Sequence, residues 1–312
     1  MNVIAITAYN KPDLLYLYLE QIYKSDLSNF VIRIHTEEGY DKEEDSVISF
    51  FQNTYPTIDI KLIVKQKTNC PIVGFHNILS LYTMSLQEAD DYIIVGEEDM
   101  LPTDDYIRFN KEVYNKYLSK YDRIFCAGHK RRPEIESPGD PNILIGDYQL
   151  TSPSCITTKI VKTYIKPILN NPKFFENPVE FYKNNFWMSR IKPTEHTHHD
   201  GALERIMDIY KLFVIKPDQS RSMHVGLSGI FCKGTPPTGS LEERIRQWRI
   251  LLSEGGNSIR KLSTMPKDIT VIPFESTNWD NLELDLYRDK AKASSWHYDL
   301  SNNFQRYIDE NI

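Results

Sequence analysis

The sequence has no apolar run long enough to cross a bilayer, no Cys-x-x-Cys pair, no internal repeat and no Gly-x-Gly-x-x-Gly. Each absence narrows the reading. Without a long apolar run there is no candidate transmembrane helix. Met1 leads into a short apolar stretch ended by Asn10-Lys11-Pro12, not into a basic leader with a long apolar core. The expectation is a cytoplasmic chain with no membrane partner. The four cysteines, Cys70, Cys126, Cys155 and Cys232, are scattered, which argues against a thiolate zinc site and requires no disulfides. The lack of any Asn-x-Ser/Thr acceptor agrees with a reducing compartment. Basic residues are outnumbered, with 37 Lys and Arg against 43 Asp and Glu, and the formal charge of -6 counts against extensive polyanion binding. The one dense basic run, His129-Lys130-Arg131-Arg132, is short and reads as a solvated loop, with a phosphate or acceptor contact as its other reading. With no glycine fingerprint after the first strand, a dehydrogenase is also removed.

What is present is a regular alternation. Residues 2–7, 30–35, 58–65 and 91–95 read as buried strands, and residues 13–24, 43–51 and 74–86 read as the helices between them. Such βαβ units build a mostly parallel sheet flanked by helices, an α/β fold. The last of these strands is apolar without alternation, as expected when helices cover both faces. Right-handed connections place the strand exits on one edge, so Thr7-Ala8-Tyr9, Glu37-Glu38 and Glu97-Glu98-Asp99 should converge. Further on, residues 106–117 read as a helix and 123–127 as a strand. Residues 133–153, dense in Pro and Gly, read as a loop or a change of subdomain. A helix over 158–169, a turn-rich stretch over 171–178, a helix over 202–210, a strand over 212–215, a Gly/Pro-rich loop over 226–239 and a helix over 241–252 complete the pattern.

Three consecutive acids after a buried strand repel one another, and desolvation adds to the cost. A divalent cation resolves it, since Mg²⁺ and Mn²⁺ prefer oxygen ligands and take one or two carboxylates plus substrate phosphates. The competing reading is that these acids serve the positive end of the next helix, a role that Asp104 and Asp105 already fill. The segment Ile93-Ile94-Val95-Gly96-Glu97-Glu98-Asp99-Met100-Leu101-Pro102 resembles the strand-Glu-Asp-Asp motif of GT-A fold glycosyltransferases. It is especially similar to the inverting N-acetylglucosaminyltransferases of N-glycan branching. The resemblance implies Asp99 as metal ligand, with Glu97 and Glu98 as nucleotide contacts. Glu98 departs from the family, which usually has Asp there.

A second segment, Ile215-Lys216-Pro217-Asp218-Gln219-Ser220-Arg221-Ser222-Met223-His224, is similar to the Arg-Pro-Glu-x-Ser-Arg stretch of the same enzymes. It implies His224 as a further metal ligand, and Arg221 suits a diphosphate because a planar guanidinium binds phosphate oxygens bidentately. Asp200 falls where the family carries the base that deprotonates the acceptor hydroxyl; capping a helix from Ala202 is its other reading. Thr7, Ala8 and Tyr9 resemble the first nucleotide-binding turn. Glu37 or Glu38 stands where related enzymes hold the ribose or uracil, and Asn77 either contacts the base or caps its helix. The implied function is transfer of a sugar from a nucleotide sugar, expected to be a UDP-sugar, to a hydroxyl acceptor, with Mn²⁺ or Mg²⁺ and with inversion. A glycan is the expected acceptor, and a modified nucleobase in DNA the second choice. On this reading residues 1–127 form the nucleotide-sugar half, 128–239 the metal and acceptor half, and 240–312 a helical extension.

Two rivals stand beside it. His196-Thr197-His198-His199-Asp200 contains His-x-His-x-Asp, the opening zinc motif of metallo-β-lactamase-like hydrolases, although Gly201 follows where that family has His. The other is a catalytically silent, carbohydrate-binding GT-A-like module. Trp248, Trp279, Trp296 and Tyr298 are candidates to stack on a sugar or to fill the core.

Overall fold

In the first third of the chain, strands and helices alternate as the apolar pattern requires. The computed structural model describes residues 1–66, 73–104, 106–120, 124–128, 143–146, 154–177, 180, 184, 203, 210, 212–217, 222–225 and 236–253. Strands β1 (Asn2–Thr7), β2 (Phe30–Glu37), β3 (Ile60–Lys65) and β4 (Tyr92–Glu97) are joined by helices α1 (Pro12–Ile22), α2 (Glu43–Thr54) and α3 (Val73–Ser85). They lie side by side in the order β3-β2-β1-β4, all parallel. After β5 (Met100–Pro102), helix α4 (Tyr106–Val113) runs into a π-helical turn, Tyr114–Leu118. Strands β6 (Ile124–Gly128), β7 (Ile143–Gly146) and β8 (Ser154–Thr157) follow.

Next come three short helices, α5 (Thr158–Ile160), α6 (Lys166–Leu169) and α7 (Pro172–Glu176), with a π-helical turn Val161–Ile165 between the first two. Strand β9 (Phe213–Pro217), strand β10 (Ser222–His224) and helix α8 (Leu241–Ser253) complete the described elements. The large sheet continues as β4-β8-β6-β9-β7, in which β8 and β7 run against the others, so the eight-stranded sheet is mostly parallel and flanked by helices. β10 pairs antiparallel with β5 in a separate two-stranded ribbon.

Alternate residues of the parallel strands feed two cores. Ile4, Ile6, Ile32, Ile34 and Ile94 pack with residues of α1, α2, α4 and α8, whereas Val3, Ala5, Val31, Ile93 and Val95 pack with α3 and the helical segment from Ile160 to Ile168. A strand apolar on both faces is stable only with helices on both sides, and that is what these strands obtain. Trp248 of α8 is 1% exposed inside the first core, so this candidate sugar platform is a packing residue.

The connections β1-α1-β2 and β2-α2-β3 step outward with helices on one face. α3 then crosses on the other face and returns the chain to the opposite side of β1. The winding therefore reverses between β1 and β4. In an open α/β sheet the crevice outside the strand ends at such a reversal is the ordinary ligand site.

The Pro- and Gly-dense stretch holds β7, an edge strand antiparallel to β9, where a loop or subdomain change was expected. Residues 171–178, expected as turns, include α7, whose N-cap Asn171 accepts a hydrogen bond from Lys173 N through its side chain at 2.9 Å. Among the described residues no helix is long and apolar enough to cross a membrane.

Candidate active site

Three strand exits meet at the reversal. Glu98 N donates to Thr7 O at 3.0 Å and Ala8 N to His35 O at 3.0 Å, which ties the ends of β4 and β2 to the end of β1. Tyr9 N donates to Glu98 Oε1 at 3.2 Å, and the Tyr9 side chain, 41% exposed, stands at the mouth. The convergence of Thr7-Ala8-Tyr9, Glu37 and Glu97-Glu98-Asp99 expected from the strand order is what the chain adopts.

Gly96 makes the close packing below the acids possible. A Cβ on it would lie 2.1 Å from Tyr18 Oη and 2.6 Å from Tyr18 Cζ, and Tyr18 is fully buried on α1. The glycine in the acidic segment is thus a packing requirement, independent of any ligand.

Glu98 is 6% and Asp99 8% exposed, and among the described residues Lys11 meets them. Its Nζ lies 2.6 Å from Asp99 Oδ2 and 3.9 Å from Glu98 Oε1. Burial opposes the Lys11 charge, but Asp99 and then Glu98 outweigh it and hold the ammonium above the ordinary lysine range. Burial, reinforced by Asp99, pushes Glu98 up to about 8, with Lys11 pulling the other way. Lys11 thus faces Asp99 directly and Glu98 more distantly.

The turn carrying Lys11 is itself supported from below. Asn10 adopts a left-handed backbone, φ 62°, a conformation Asn tolerates better than most residues. Its N–H donates to Glu44 Oε1 at 2.7 Å. Glu44 on α2 is fully buried, and burial raises its carboxyl to about 7 despite that hydrogen bond. Pro12 then opens α1.

A second polar group forms at the exits of β2 and β3. Asn77 Nδ2 donates to Glu37 Oε1, and Lys65 Nζ donates to Asn77 O at 3.4 Å. Burial lowers Lys65 to about 8, with Glu37 opposing. Asn77 lies inside α3, which begins at Val73, so its capping role is replaced by this bond to Glu37. Beneath the group His35 is 2% exposed, and neither ring nitrogen has a partner. Burial, then Lys65 and Arg33, lower it to about 3, which leaves it neutral at physiological pH.

β10 brings a distant segment to the acids. His224 pairs with Met100, next to Asp99, and Val225 N donates to Asp99 O at 2.8 Å. The backbone register therefore places His224 beside the acidic strand end. Asp104, expected with Asp105 to cap the next helix, bonds Gln21 of α1 and Lys24 just beyond it, and Asp105 lies outside the described residues.

Asp200, Arg221, the His196 to Asp200 cluster, the basic run at residues 129–132, Trp279, Trp296 and Tyr298 lie outside the described residues. So do residues 226–235 of the 226–239 loop, whose residues 236–239 are described. Among the described residues no group of three or more His, Cys, Asp or Glu side chains is arranged to hold a metal. Carboxylate oxygens such as those of Asp99 and Glu98 are the donor type that Mg²⁺ and Mn²⁺ prefer.

Sequence reasoning missed Lys11 and Glu44. Lys11 meets Asp99 across 88 residues, and its only local signal is its place between Asn10 and Pro12 at the exit of β1.

No protein-family model matches the sequence, and no curated protein matches it either. Among solved structures the chain is similar to a mannosyltransferase from Pyrobaculum calidifontis in complex with GDP-Man and Mn²⁺, at 15% identity and TM-score 0.33, over 42% of this chain and 35% of that one. It is also similar to S. aureus TarS 1-349 in complex with UDP-GlcNAc, at 11% identity and TM-score 0.46, over 73% of this chain and 60% of that one. TarS 1-349 without the sugar nucleotide gives 10% identity and TM-score 0.44, over 71% and 60% of the two chains. The chain thus spans less than two thirds of the length of these structures.

Proposed function

We propose that the protein is a metal-dependent glycosyltransferase that moves a sugar from a nucleoside-diphosphate donor, uridine-linked, to a hydroxyl acceptor with inversion. One observation supports this reading: the buried Glu98 and Asp99 stand together at the end of β4, where the sheet winding reverses. A metal-diphosphate is the ligand that such an arrangement suits.

Thr7, Ala8, Tyr9, Glu37, Asn77, Glu97 and Glu98 border the nucleotide in this reading. Asp99 and His224 hold Mn²⁺ or Mg²⁺, and Arg221 steadies the diphosphate. Asp200 acts as the base that takes the acceptor's proton. When bound, the metal neutralises charge developing on the departing nucleoside diphosphate. The expected acceptor is a glycan, with a modified nucleobase in DNA as the second choice, and the expected compartment is the cytoplasm.

The test is a screen of nucleoside-diphosphate sugars for Mn²⁺-dependent release of nucleotide, with and without chelator. Release that chelator abolishes, and that Asp99→Asn loses while its circular dichroism spectrum stays unchanged, supports the reading. Release that is insensitive to both removes it. For Asp200→Asn, an unchanged transfer rate would overturn the base assignment.

A further inference from the structure

A metal-nucleotide site explains the acids but not the lysine already seated on them. Lys11 is no loose surface cation. Its turn is fixed by the left-handed Asn10, by the Asn10 N–H bond to the buried Glu44 at 2.7 Å, and by Pro12 in the first turn of α1. Asp13, two residues on, is held from the other side by Trp248 at 2.7 Å. A side chain with this much support lies 2.6 Å from Asp99 Oδ2. A divalent ion liganded by the same carboxylate sits about 2.1 Å from its oxygen. Two cations on one carboxylate in a half-buried site repel strongly, because little water lies between them to screen the charge.

We propose that Lys11 is a resident counterion that competes with the divalent metal for Asp99. The metal alone then binds Asp99 weakly. A diphosphate, by offering the ammonium an alternative anion, draws it off and admits the metal, so metal and nucleotide bind with positive coupling. Coupling of this kind is reciprocal, and each ligand tightens the other by the same factor. This second half rests on the nucleotide-sugar reading; the competition itself does not.

The experiment is Mn²⁺ binding to the full chain, read from the paramagnetic resonance signal of the free ion, first without nucleotide and then with UDP. Wild type is expected to bind Mn²⁺ weakly alone. Lys11→Gln is expected to bind it about tenfold tighter, the order of effect of removing one close like charge. Lys11→Arg keeps the charge and is expected to stay weak. UDP should tighten Mn²⁺ in wild type and by a smaller factor in Lys11→Gln.

A merely structural role for Lys11 gives the opposite sign: the acid site loosens, Mn²⁺ binds no better or worse, and Tm falls. Lys11→Gln that binds Mn²⁺ no tighter than wild type, or not at all, overturns the competition even if UDP-sugars are turned over. Tighter Mn²⁺ in Lys11→Gln without any UDP effect in either protein keeps the competition and removes the nucleotide reading. The two failures are therefore distinct.

Discussion

The Trp248 indole N–H donates to Asp13 Oδ2 at 2.7 Å, joining residues 235 positions apart in the chain. Arg244 of the same helix lies 3.8 Å from that carboxylate and also pairs with Glu43 on α2. Helix α8 is thus fastened to the first turn of α1, directly behind the turn that presents Lys11. Trp248→Phe keeps most of the ring but leaves Asp13 with a lost, buried partner. The expected cost is about 1–3 kcal/mol, measured as a lower midpoint in urea unfolding. A midpoint equal to wild type would mean the bond contributes nothing net.

Gly96→Ala forces a methyl group into the Tyr18 ring. Overpacking of this kind costs about 1–3 kcal/mol, and calorimetry should show a lower Tm. Tyr18→Phe removes Oη, the nearest atom at 2.1 Å, but leaves Cζ at 2.6 Å. In the double variant the penalty of Gly96→Ala should therefore be partly relieved, and strict additivity of the two changes would contradict the contact.

Glu44 makes stability depend on pH in a defined window. Its ordinary value is 4.5 and the folded chain raises it to about 7. Between these values the folded state holds a proton that the unfolded state has released. Its contribution is fully present below pH 4.5 and is lost as pH rises through 7, with a slope of at most about 1.4 kcal/mol per pH unit. Glu44→Gln keeps an acceptor for Asn10 N and removes the proton, so the difference in unfolding free energy between the two proteins should change across that window. A constant difference from pH 4.5 to 7 would show that Glu44 is not titrating there.

Arg33 is 2% exposed and joins β2 to two acids, with Nη2 2.7 Å from Asp59 Oδ2 and Nε 2.7 Å from Glu88 Oε1. Both partners are partly exposed, so their charges turn to water when the guanidinium is removed. Arg33→Met is accordingly expected to cost about 1–3 kcal/mol, less than a fully buried pair, and the loss should be nearly unchanged in 1 M salt because the guanidinium itself is shielded. A loss that disappears in salt would place the interaction at the surface.

Much of the first 127 residues was legible because parallel strands buried on both faces announce themselves as short apolar runs, and because Pro12 and the acids at Asp13 and Glu43 mark helix starts. The site's acids were legible for the same reason, as polar residues placed immediately after such a run. The strands of the second half were harder. β7 is four residues inside a Pro- and Gly-dense stretch, and β5 and β10 have three residues each. Segments so short carry no periodicity. Lys11 was invisible for another reason. Its meaning depends on β1 and β4 being neighbours, and lysines in exposed turns are ordinary. Asn77, read as a base contact or a cap, lies inside α3 and bonds Glu37, a partner set by the pairing of distant segments.

The ribbon of β5 with β10 also sets an order of events. The Asp99 carbonyl accepts from Val225 N, and the turn around Lys11 is braced by α8, so this strand end depends on residues 126 or more positions downstream of Asp99. Closing such long loops is entropically slow compared with building the local βαβ units. During synthesis the early sheet has the means to form, with Lys11 already beside Asp99, before Val225 and α8 are made. The Val225 bond and the α8 brace can both be in place only after the chain beyond residue 248 has left the ribosome, so this sheet edge takes its final form late in synthesis.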